Sequence, residues 1–176
     1  ISQLELEQKM IIFLGSNIGN FEPDAAEGFL KKVRSWLEKG DYLLLSTDMQ
    51  KDSAILEAAY NDRQGVTAAF NMNILKRMND ELDARFDLNT FSHLAFYNKA
   101  LGRVEIHLRS KIEQEVYFGK LDKSFTFKKG ETIHTENSHK FTKGQIAQLC
   151  HDTGFRWVKQ WTDDKGYFSV NLLAAA

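Results

Sequence analysis

The sequence has little of what marks a secreted or membrane protein. It contains one cysteine, Cys150, which cannot form an internal disulfide, and one proline, so a disulfide scaffold and a proline-rich linker are excluded. A run of about 18 apolar residues, the length that a membrane helix needs, does not occur. The first ten residues, ISQLELEQKM, carry acids where a signal peptide has basic residues. We therefore expect a cytoplasmic protein.

A strong charge of one sign is also lacking. Lys and Arg number 23 against 24 Asp and Glu, which leaves no broad positive field for nucleic acid or for an anionic membrane. Small molecules and proteins remain as candidate partners. With 43% apolar residues among 176, the chain can bury the core of one domain or slightly more.

The first fifty residues have the pattern of a strand, a helix and a second strand. Residues 10–14 form a continuous apolar run, which predicts a strand buried on both faces. Asp24 is placed to cap a helix whose apolar residues continue at helical spacing to Leu37. Residues 42–45 form a second apolar run. Two strands joined by a helix are expected to lie parallel in one α/β sheet.

From residue 51 the pattern changes to helices that are followed by alternating strands. Apolar residues first recur at helical spacing. Then, in residues 104–108, 115–118 and 125–128, polar and apolar residues alternate as in half-buried antiparallel strands. This pattern predicts an α+β segment inserted into an α/β chain.

The last stretch restores the first pattern. We predict a helix at residues 143–153 and a closing hairpin of strands at 155–161 and 166–173, with a turn at Asp163-Asp164-Lys165-Gly166. The domain prediction is therefore a sheet domain of residues 1–50 and 141–176, into which residues 51–140 are inserted.

Three segments carry residues suited to a binding site. The first, FLGSNIGNF at residues 13–21, runs from a strand into a glycine-containing loop, where free backbone N–H groups lie at the carboxyl end of a strand. It either binds a ligand or is only a tight turn, and it is not a GxGxxG fingerprint. The second, AAYNDRQGVTAAFNMNIL at residues 58–75, crowds polar side chains into helices. Spacing alone favours helix capping over ligand binding there.

The third segment, GETIHTENSHKF at residues 130–141, alternates as a strand does. Thr132, His134 and Glu136 fall on one face, and Ser138 lies two residues further on. A carboxylate beside a hydroxyl could bind a ring that bears N–H groups, or the segment is an exposed polar strand end. The five histidines show no HExxH spacing, so we assign no metal, and Cys150 with its neighbour His151 is not a nucleophile pair.

Taken together, the segments resemble a known family. FLGSNIGNF, GDYLLLSTDMQKD, LEAAYNDRQGVTAAFNMNILKRMNDEL, GRVEIHLRS, GETIHTENSHKF and GFRWVKQWTDDKGYFSV cover nearly all of the chain. In this order they are similar to the histidine-specific methyltransferases, whose members trimethylate histidine on the ergothioneine pathway. The resemblance implies a Rossmann-like class I methyltransferase sheet with an inserted α+β substrate-binding domain, and S-adenosylmethionine as the cofactor.

The resemblance also implies roles for single residues. Asn20 and Tyr60 match positions that hold the substrate carboxylate, and Thr67 matches a position near the substrate amine. Glu136 and Ser138 match the pair that holds the imidazole ring. Donors without a fixed charge suit a carboxylate, and a carboxylate acceptor suits an imidazole N–H.

The cofactor is expected at the first segment. The backbone of Leu14, Gly15 and Ser16 matches the point where the family's cofactor meets its substrate. Asn17 stands where the family usually has Thr, and Ile106 stands in the substrate pocket where it has the more adaptable Met. Histidine is the expected substrate, with a related amino acid or another small amine as the alternative. No catalytic acid or base is assigned, because methyl transfer depends mainly on positioning.

The family has more sheet than this chain carries. Its first strand with the glycine loop, its ribose-binding acidic residue and a further substrate-contacting tyrosine have no counterpart here. We expect a C-terminal, substrate-binding part whose other half was removed, lies in a separate chain, or is replaced by an oligomer partner that covers the open sheet edge. A non-catalytic amino-acid-binding or assembly domain is the alternative.

Overall fold

The computed structural model describes residues 8–176 and divides them into two compact units. The first unit contains the residues up to Lys51, Ala100–Arg103 and Asn137–Ala176. The second contains Asp52–Lys99 and Val104–Glu136. Residues 100–103 and 137–140, which the sequence pattern placed in the inserted block, thus cluster with the first unit.

The described residues form nine strands and four α-helices. The chain begins with β1 (Met10–Phe13), α1 (Pro23–Arg34), β2 (Tyr42–Asp48), α2 (Ser53–Tyr60) and α3 (Val66–Leu82). It continues with β3 (Phe91–Asn98), β4 (Arg103–Ser110), β5 (Gln114–Phe118), β6 (Lys123–Phe127) and β7 (Thr132–His139). It ends with α4 (Lys143–Asp152), β8 (Phe155–Thr162) and β9 (Phe168–Ala175). None of these helices is long and apolar enough to span a membrane.

The first unit is built on a four-stranded sheet in the order β1-β2-β9-β8. β1 and β2 are parallel, with Met10 opposite Tyr42, as the strand, helix, strand pattern predicts. β9 is antiparallel to β2 and to β8, so the predicted closing hairpin is confirmed. Parallel strands followed by an antiparallel pair make this a mixed sheet.

The core of the first unit lies between this sheet and its two helices. Its buried apolar side chains come from the helices and from β2, β8 and β9, and they include Leu30, Val33, Leu43, Leu45, Ile146, Cys150, Phe155 and Leu173. The helix α4 begins with a capping box, in which Thr142 and Gln145 each accept from the other's backbone N–H. These apolar stripes account for the helix and strand positions predicted from the sequence.

The bounds of α1 differ from those predicted. Glu22 precedes the helix and Pro23 is its first residue, so Asp24 lies in the first turn and not at the cap. Proline suits this position because its φ is already helical and its missing N–H is not needed there. The helix ends at Arg34, whose guanidinium donates to the Leu37 carbonyl at 2.8 Å. Leu37 is nonetheless buried in the same core.

The prediction that the first strand is buried on both faces is wrong. Ile11 and Phe13 pack against the core, whereas Met10, Ile12 and Leu14 are 51%, 60% and 46% exposed. β1 is the edge strand of the described sheet, and no described element of this unit covers that face. An apolar run indicates that a strand can be buried on both faces. The strand is buried only where another helix or strand packs against each face.

The second unit contains a three-stranded sheet in the order β3-β4-β7 and the antiparallel hairpin of β5 and β6. One cluster of buried side chains includes Leu75, Phe86, Phe91, Leu108, Val116 and Phe118. A second includes Leu56, Ala95, Val104 and Ile106. The strands at β4, β5 and β6 were predicted, whereas β3 was not, because its sequence FSHLAFYN does not alternate cleanly. The first residue of β4, Arg103, and the last three of β7, Asn137–His139, are grouped with the first unit.

Leu43 tests the core of the first unit. It is a fully buried residue of β2, so we expect Leu43→Ala to lower the free energy of unfolding by about 2–5 kcal/mol. The matched control is Leu121→Ala, which removes a side chain that is 49% exposed and should change stability by less than about 0.5 kcal/mol. Urea unfolding of both variants measures this. Equal losses would contradict the assignment of the core.

Candidate functional site

The loop after β1 is fastened to β2 by two serine hydroxyls. The Ser16 N–H donates to Ser46 Oγ at 3.0 Å, and the Asp48 N–H donates to Ser16 Oγ at 2.7 Å. Gly15 and Ser16 have φ values of 84° and 57°, in the left-handed region that glycine adopts freely and serine does not. These bonds therefore hold a tight loop at the carboxyl end of a parallel strand, where α/β sheets bind ligands.

This loop also presents accessible backbone. Leu14 and Gly15 are exposed, and a Cβ added at Gly15 would meet only the Asn17 side chain, at 3.4 Å. The Asn17 amide donates to the Leu14 carbonyl at 3.4 Å, so Asn17 braces the loop from within. The residues expected at the cofactor thus combine a constrained backbone with open space, which fits a group that approaches the main chain closely.

Asn20 ends the short helical turn Asn17–Asn20 and is exposed. Gly19, just before it, is buried, and a Cβ there would lie 2.7 Å from the His139 carbonyl. Only glycine allows this approach. The close packing of Gly19 therefore fixes where the turn lies in the first unit, and with it the position of the Asn20 amide.

Ser138 lies near the end of β7, beside a buried lysine. The Lys140 side chain is 1% exposed, and its Nζ donates to Ser138 Oγ at 2.8 Å and forms an ion pair with Asp48 at 2.9 Å. Asp48 also pairs with Lys51. Sequence reasoning missed Lys140 and Asp48. The one available signal was that Lys140 follows Ser138 by two positions, the spacing of one strand face.

The residues around Ser138 are held by Glu22. Its carboxylate accepts from Asn137 Nδ2 at 2.7 Å and from the Arg103 guanidinium at 3.1 Å, and it lies 3.6 Å from His139 Nε2. Burial lowers the pKa of His139, and the nearby Glu22 charge opposes that shift. A neutral imidazole at position 139 follows from the larger of these two effects.

In the second unit, the polar side chains of the AYND segment cap and link helices. The Asp62 carboxylate accepts from the Val66 and Thr67 N–H groups at 2.9 and 2.8 Å, at the start of α3. These bonds, first the one from Thr67, lower the pKa of Asp62. The Asn61 amide donates to the Ala95 carbonyl at 3.0 Å and so ties α2 to β3. Asp62 thereby places Thr67, one of the predicted substrate residues, at the first turn of α3.

A buried amide organises the helix-covered side of the three-stranded sheet. Asn71 Nδ2 donates to His93 Nδ1 at 3.0 Å, and Asn71 Oδ1 accepts from the Thr135 hydroxyl at 2.8 Å. His93 Nε2 donates to the Tyr60 carbonyl at 2.9 Å, which places the His93 proton on Nε2. This network fixes the main chain at Tyr60, the last residue of α2.

Among the predicted residues of the second unit, Tyr60 and Ile106 come together. Ile106 is buried in the cluster with Leu56 and Val104, and Tyr60 packs against that cluster. Ile106 thus lies in the cluster of apolar side chains that includes Leu56 of α2.

Glu136 lies on the opposite face of β7 from Thr135. Thr135 contacts Asn71, and Ile133 packs against the core beneath α3, so the alternation predicted from the sequence is confirmed. Glu136 is half-buried and shares its face with His134, whose Nε2 donates to the Glu136 carbonyl at 3.2 Å. The structure thus groups Glu136 with His134, and Tyr60 with Ile106.

Three rings stack across that face of the sheet. His107 lies between Phe96 and His134, with ring centroids 5.5 and 4.4 Å away. Its Nε2 lies 3.5 Å from the Glu105 carboxylate, which accepts from the Asn98 amide at 3.0 Å. Burial, followed by the charge of His134, lowers the pKa of His107. No sequence pattern predicts this stack, because it depends on three strands separated along the chain.

A concave pocket of about 220 Å³ lies elsewhere in the first unit. Its walls come from α1, α4 and residues 101–102 and 139–141, and they include Phe21, Leu101, Phe141 and Leu149. None of the predicted site residues lines it. Within residues 8–176, no group of three His, Cys, Asp or Glu side chains is arranged to hold a metal ion.

The sequence profile of a family described as "Histidine-specific methyltransferase, SAM-dependent" matches residues 1–175. The chain is 41% identical over 165 residues to a histidine N-alpha-methyltransferase of Mycolicibacterium smegmatis, covering 94% of this chain and 51% of that protein. It is 41% identical to the histidine N-alpha-methyltransferase of Mycobacterium tuberculosis, covering 95% and 52%. The chain thus spans about half the length of these curated relatives.

A solved structure shows the fold. The crystal structure of an S-adenosylmethionine-dependent methyltransferase from Clostridium acetobutylicum matches with a TM-score of 0.50 at 9% identity, covering 99% of this chain and 62% of that one. At this identity the likeness concerns architecture alone. The Rossmann-like α/β methyltransferase fold predicted from the sequence is confirmed.

The reactivity of Cys150 tests the prediction that Cys150 and His151 are not a nucleophile pair. The thiol is buried in the core of the first unit, and this burial raises its pKa to about 12. Since the thiolate is the nucleophile, we expect the native protein to react with a thiol reagent at pH 8 at least about 100-fold more slowly than the urea-unfolded protein. Absorbance of the released reporter measures both rates. Comparable rates would contradict the burial of Cys150.

Proposed function

The chain belongs to the histidine-specific, S-adenosylmethionine-dependent methyltransferase family, and we propose that it forms the substrate-binding part of an amino-acid Nα-methyltransferase with histidine as the substrate. The observation that carries this proposal is the arrangement at the end of β7. There the buried Lys140 donates a hydrogen bond to Ser138. Ser138 follows the half-buried carboxylate of Glu136 by two positions. A hydroxyl and a carboxylate spaced in this way suit an imidazole ring better than an aliphatic side chain.

Recognition of the ring is proposed for Glu136 and Ser138. An imidazole N–H needs an acceptor, and a desolvated carboxylate provides a charge-assisted one worth about 1.5–3 kcal/mol. Such a bond favours histidine over an apolar amino acid by at least about tenfold. Support comes from the strand alternation, which directs Glu136 away from the helix-covered core.

Recognition of the backbone part of the substrate is proposed for Asn20, Tyr60 and Thr67. The Asn20 amide is exposed at the end of its turn, the Tyr60 main chain is fixed by His93, and Thr67 is placed by the Asp62 cap. Amide and phenol donors bind a carboxylate without introducing a second fixed positive charge beside the reacting amine.

The loop of Leu14, Gly15 and Ser16 is proposed to contact the cofactor. S-adenosylmethionine supplies an electrophilic methyl group on a sulfonium. The serine bonds to β2 keep the loop backbone in one conformation, and the exposed Gly15 leaves room at the main chain. The chain's own contribution is therefore positioning: it aligns the substrate amine with the methyl group and holds it there.

A further protein segment is proposed to complete the sheet beside β1. The relatives are about twice as long as the matched region, and β1 exposes an apolar strip on an edge strand. Most of the cofactor's contacts are expected from that segment. A cytoplasmic location is part of the same proposal.

Glu136 tests the substrate. In the full-length protein, we expect Glu136→Ala to raise the KM for histidine at least about tenfold, because the ring N–H loses its charged acceptor. The matched control is Glu113→Ala, which removes an exposed carboxylate and should leave the KM unchanged. Initial rates of S-adenosylhomocysteine formation measure both. An unchanged KM in Glu136→Ala would remove histidine from the proposal.

Ile12 tests the covered edge. If a further segment packs on β1, Ile12→Asn in the full-length protein buries an amide and should lower the free energy of unfolding by about 2 kcal/mol or more. Ile112→Asn is the control, because Ile112 is 47% exposed in the second unit. Thermal unfolding compares the two variants. An Ile12→Asn protein as stable as the control would show that the β1 face is open to solvent.

A further inference from the structure

The pocket between α1 and α4 takes no part in the proposed function. Its volume is about 220 Å³, and all of the residues that line it belong to the first unit. An apolar cavity of about 150 Å³ is large enough to hold a benzene molecule, whereas sites for drug-sized ligands begin at about 300 Å³. The size of this pocket therefore suits a small molecule with one ring and a short chain.

The walls of the pocket offer apolar contact from several segments. Phe21 precedes α1, Leu149 lies on α4, and Leu101 and Phe141 come from the segments before β4 and after β7. Phe21, Phe141 and Leu149 are half-buried and pack against the core of the first unit, which holds them in place. Apolar surface that is still in contact with water stabilises a ligand that covers it. The walls thus favour a ligand with an apolar body.

The charged side chains that α1 and α4 contribute to the pocket are all acidic. Asp24 and Glu27 lie about one turn apart on α1, and Asp152 is the last residue of α4. The Asp152 carboxylate accepts from the Gln148 amide at 2.8 Å, and this bond is the largest cause of its lowered pKa. Asp152 is therefore ionised at neutral pH.

The neighbouring lysines do not neutralise all of this acidity. Lys31 pairs with Glu27, and Lys140, which lines the pocket, pairs with Asp48. The Asp24 carboxylate has no hydrogen bond or ion pair within the part of the chain that the structure describes. A concave surface that keeps negative charge raises the local concentration of cations and repels anions. The charge of the pocket thus favours a cationic ligand.

From this combination we infer that the pocket is a second small-molecule site, which binds a compound with one apolar ring and one primary ammonium group. The ring lies against the apolar walls, and the ammonium group, which has only hydrogen-bond donors, donates to the Asp24 carboxylate. The inference is independent of the proposed function, because none of the residues proposed to bind histidine or the cofactor lines this pocket. Histidine and the amine should therefore bind together.

NMR spectroscopy of the ¹⁵N-labelled full-length protein tests the site, with phenethylamine as the probe. We expect saturable shifts of the backbone amides of residues 23–27 and 145–152, with a Kd of about 1 mM or tighter. Saturating histidine should leave these shifts in place. Absence of saturable shifts at these amides overturns the inference, and so does their loss in the presence of histidine, which would place the amine in the substrate site.

The charge of the ligand is tested by phenylpropionate, which has the same ring and a carboxylate in place of the ammonium group. We expect it to bind at least about fivefold more weakly than phenethylamine, because attraction is replaced by repulsion. In the protein, Asp24→Asn should weaken phenethylamine about threefold or more. The control Asp164→Asn removes an equal charge from the exposed hairpin turn and should leave the Kd unchanged. Equal binding of the two compounds contradicts the assignment of a cationic ligand.

Two tryptophan variants of α4 test whether the amine occupies the pocket itself. Gln148 and Ala147 are both exposed, but only Gln148 lines the pocket. Gln148→Trp places bulk at the pocket and should weaken phenethylamine at least about tenfold, whereas Ala147→Trp should leave the Kd within about twofold. Thermal unfolding establishes that each variant is folded. Equal Kd values in the two variants overturn the inference, and if Gln148→Trp does not fold, Asp24→Asn decides in its place.

Discussion

Asp48 forms ion pairs with Lys51 and Lys140 at the end of β2, and it also bonds the loop after β1 through its main chain. A carboxylate at this place can hold two chain segments because β2 is an inner strand of the sheet, with β1 on one side and β9 on the other. Ser138 is linked to this anchor through Lys140. The arrangement also explains why a lysine can be buried there: its charge is met by Asp48, and a further donor hydrogen is used by Ser138.

The location of these residues follows the general behaviour of α/β sheets. Ligands bind beyond the carboxyl ends of parallel strands, and both the Gly15-Ser16 loop and Asp48 lie at such ends. The family assignment adds a chemical interpretation to that geometry. Methyl transfer to an amine asks for alignment more than for acids and bases, and the first unit supplies constrained backbone and directed hydrogen bonds. In the second unit, Tyr60, Thr67 and Glu136 lie on elements that are themselves held by polar contacts.

The sequence predicted much of the fold because its signals were local. Apolar runs marked β1 and β2, and the DDKG turn marked the closing hairpin. The exposure of Met10, Ile12 and Leu14 was not predictable, since an apolar strand carries no information about whether its covering element is present. β3 was missed because burial in FSHLAFYN follows no strict alternation.

Some residues of the candidate site were also predicted from the sequence, and others were found only in the structure. Asn20, Tyr60, Glu136 and Ser138 were assigned by resemblance, and alternation correctly set Glu136 apart from Thr135. The pairing of Lys140 with Asp48 joins residues far apart in the chain, so no spacing rule could reveal it. The stack of Phe96, His107 and His134 required the strand order of the folded sheet.

The most direct test of this account is a crystal structure of the full-length protein with histidine bound. The account predicts one ring nitrogen within about 3 Å of Ser138 Oγ and the other near the Glu136 carboxylate, with Lys140 still bonded to Ser138 and Asp48. Histidine bound away from β7, or a Ser138 hydroxyl turned from the ring with Lys140 in contact with the substrate, would contradict it.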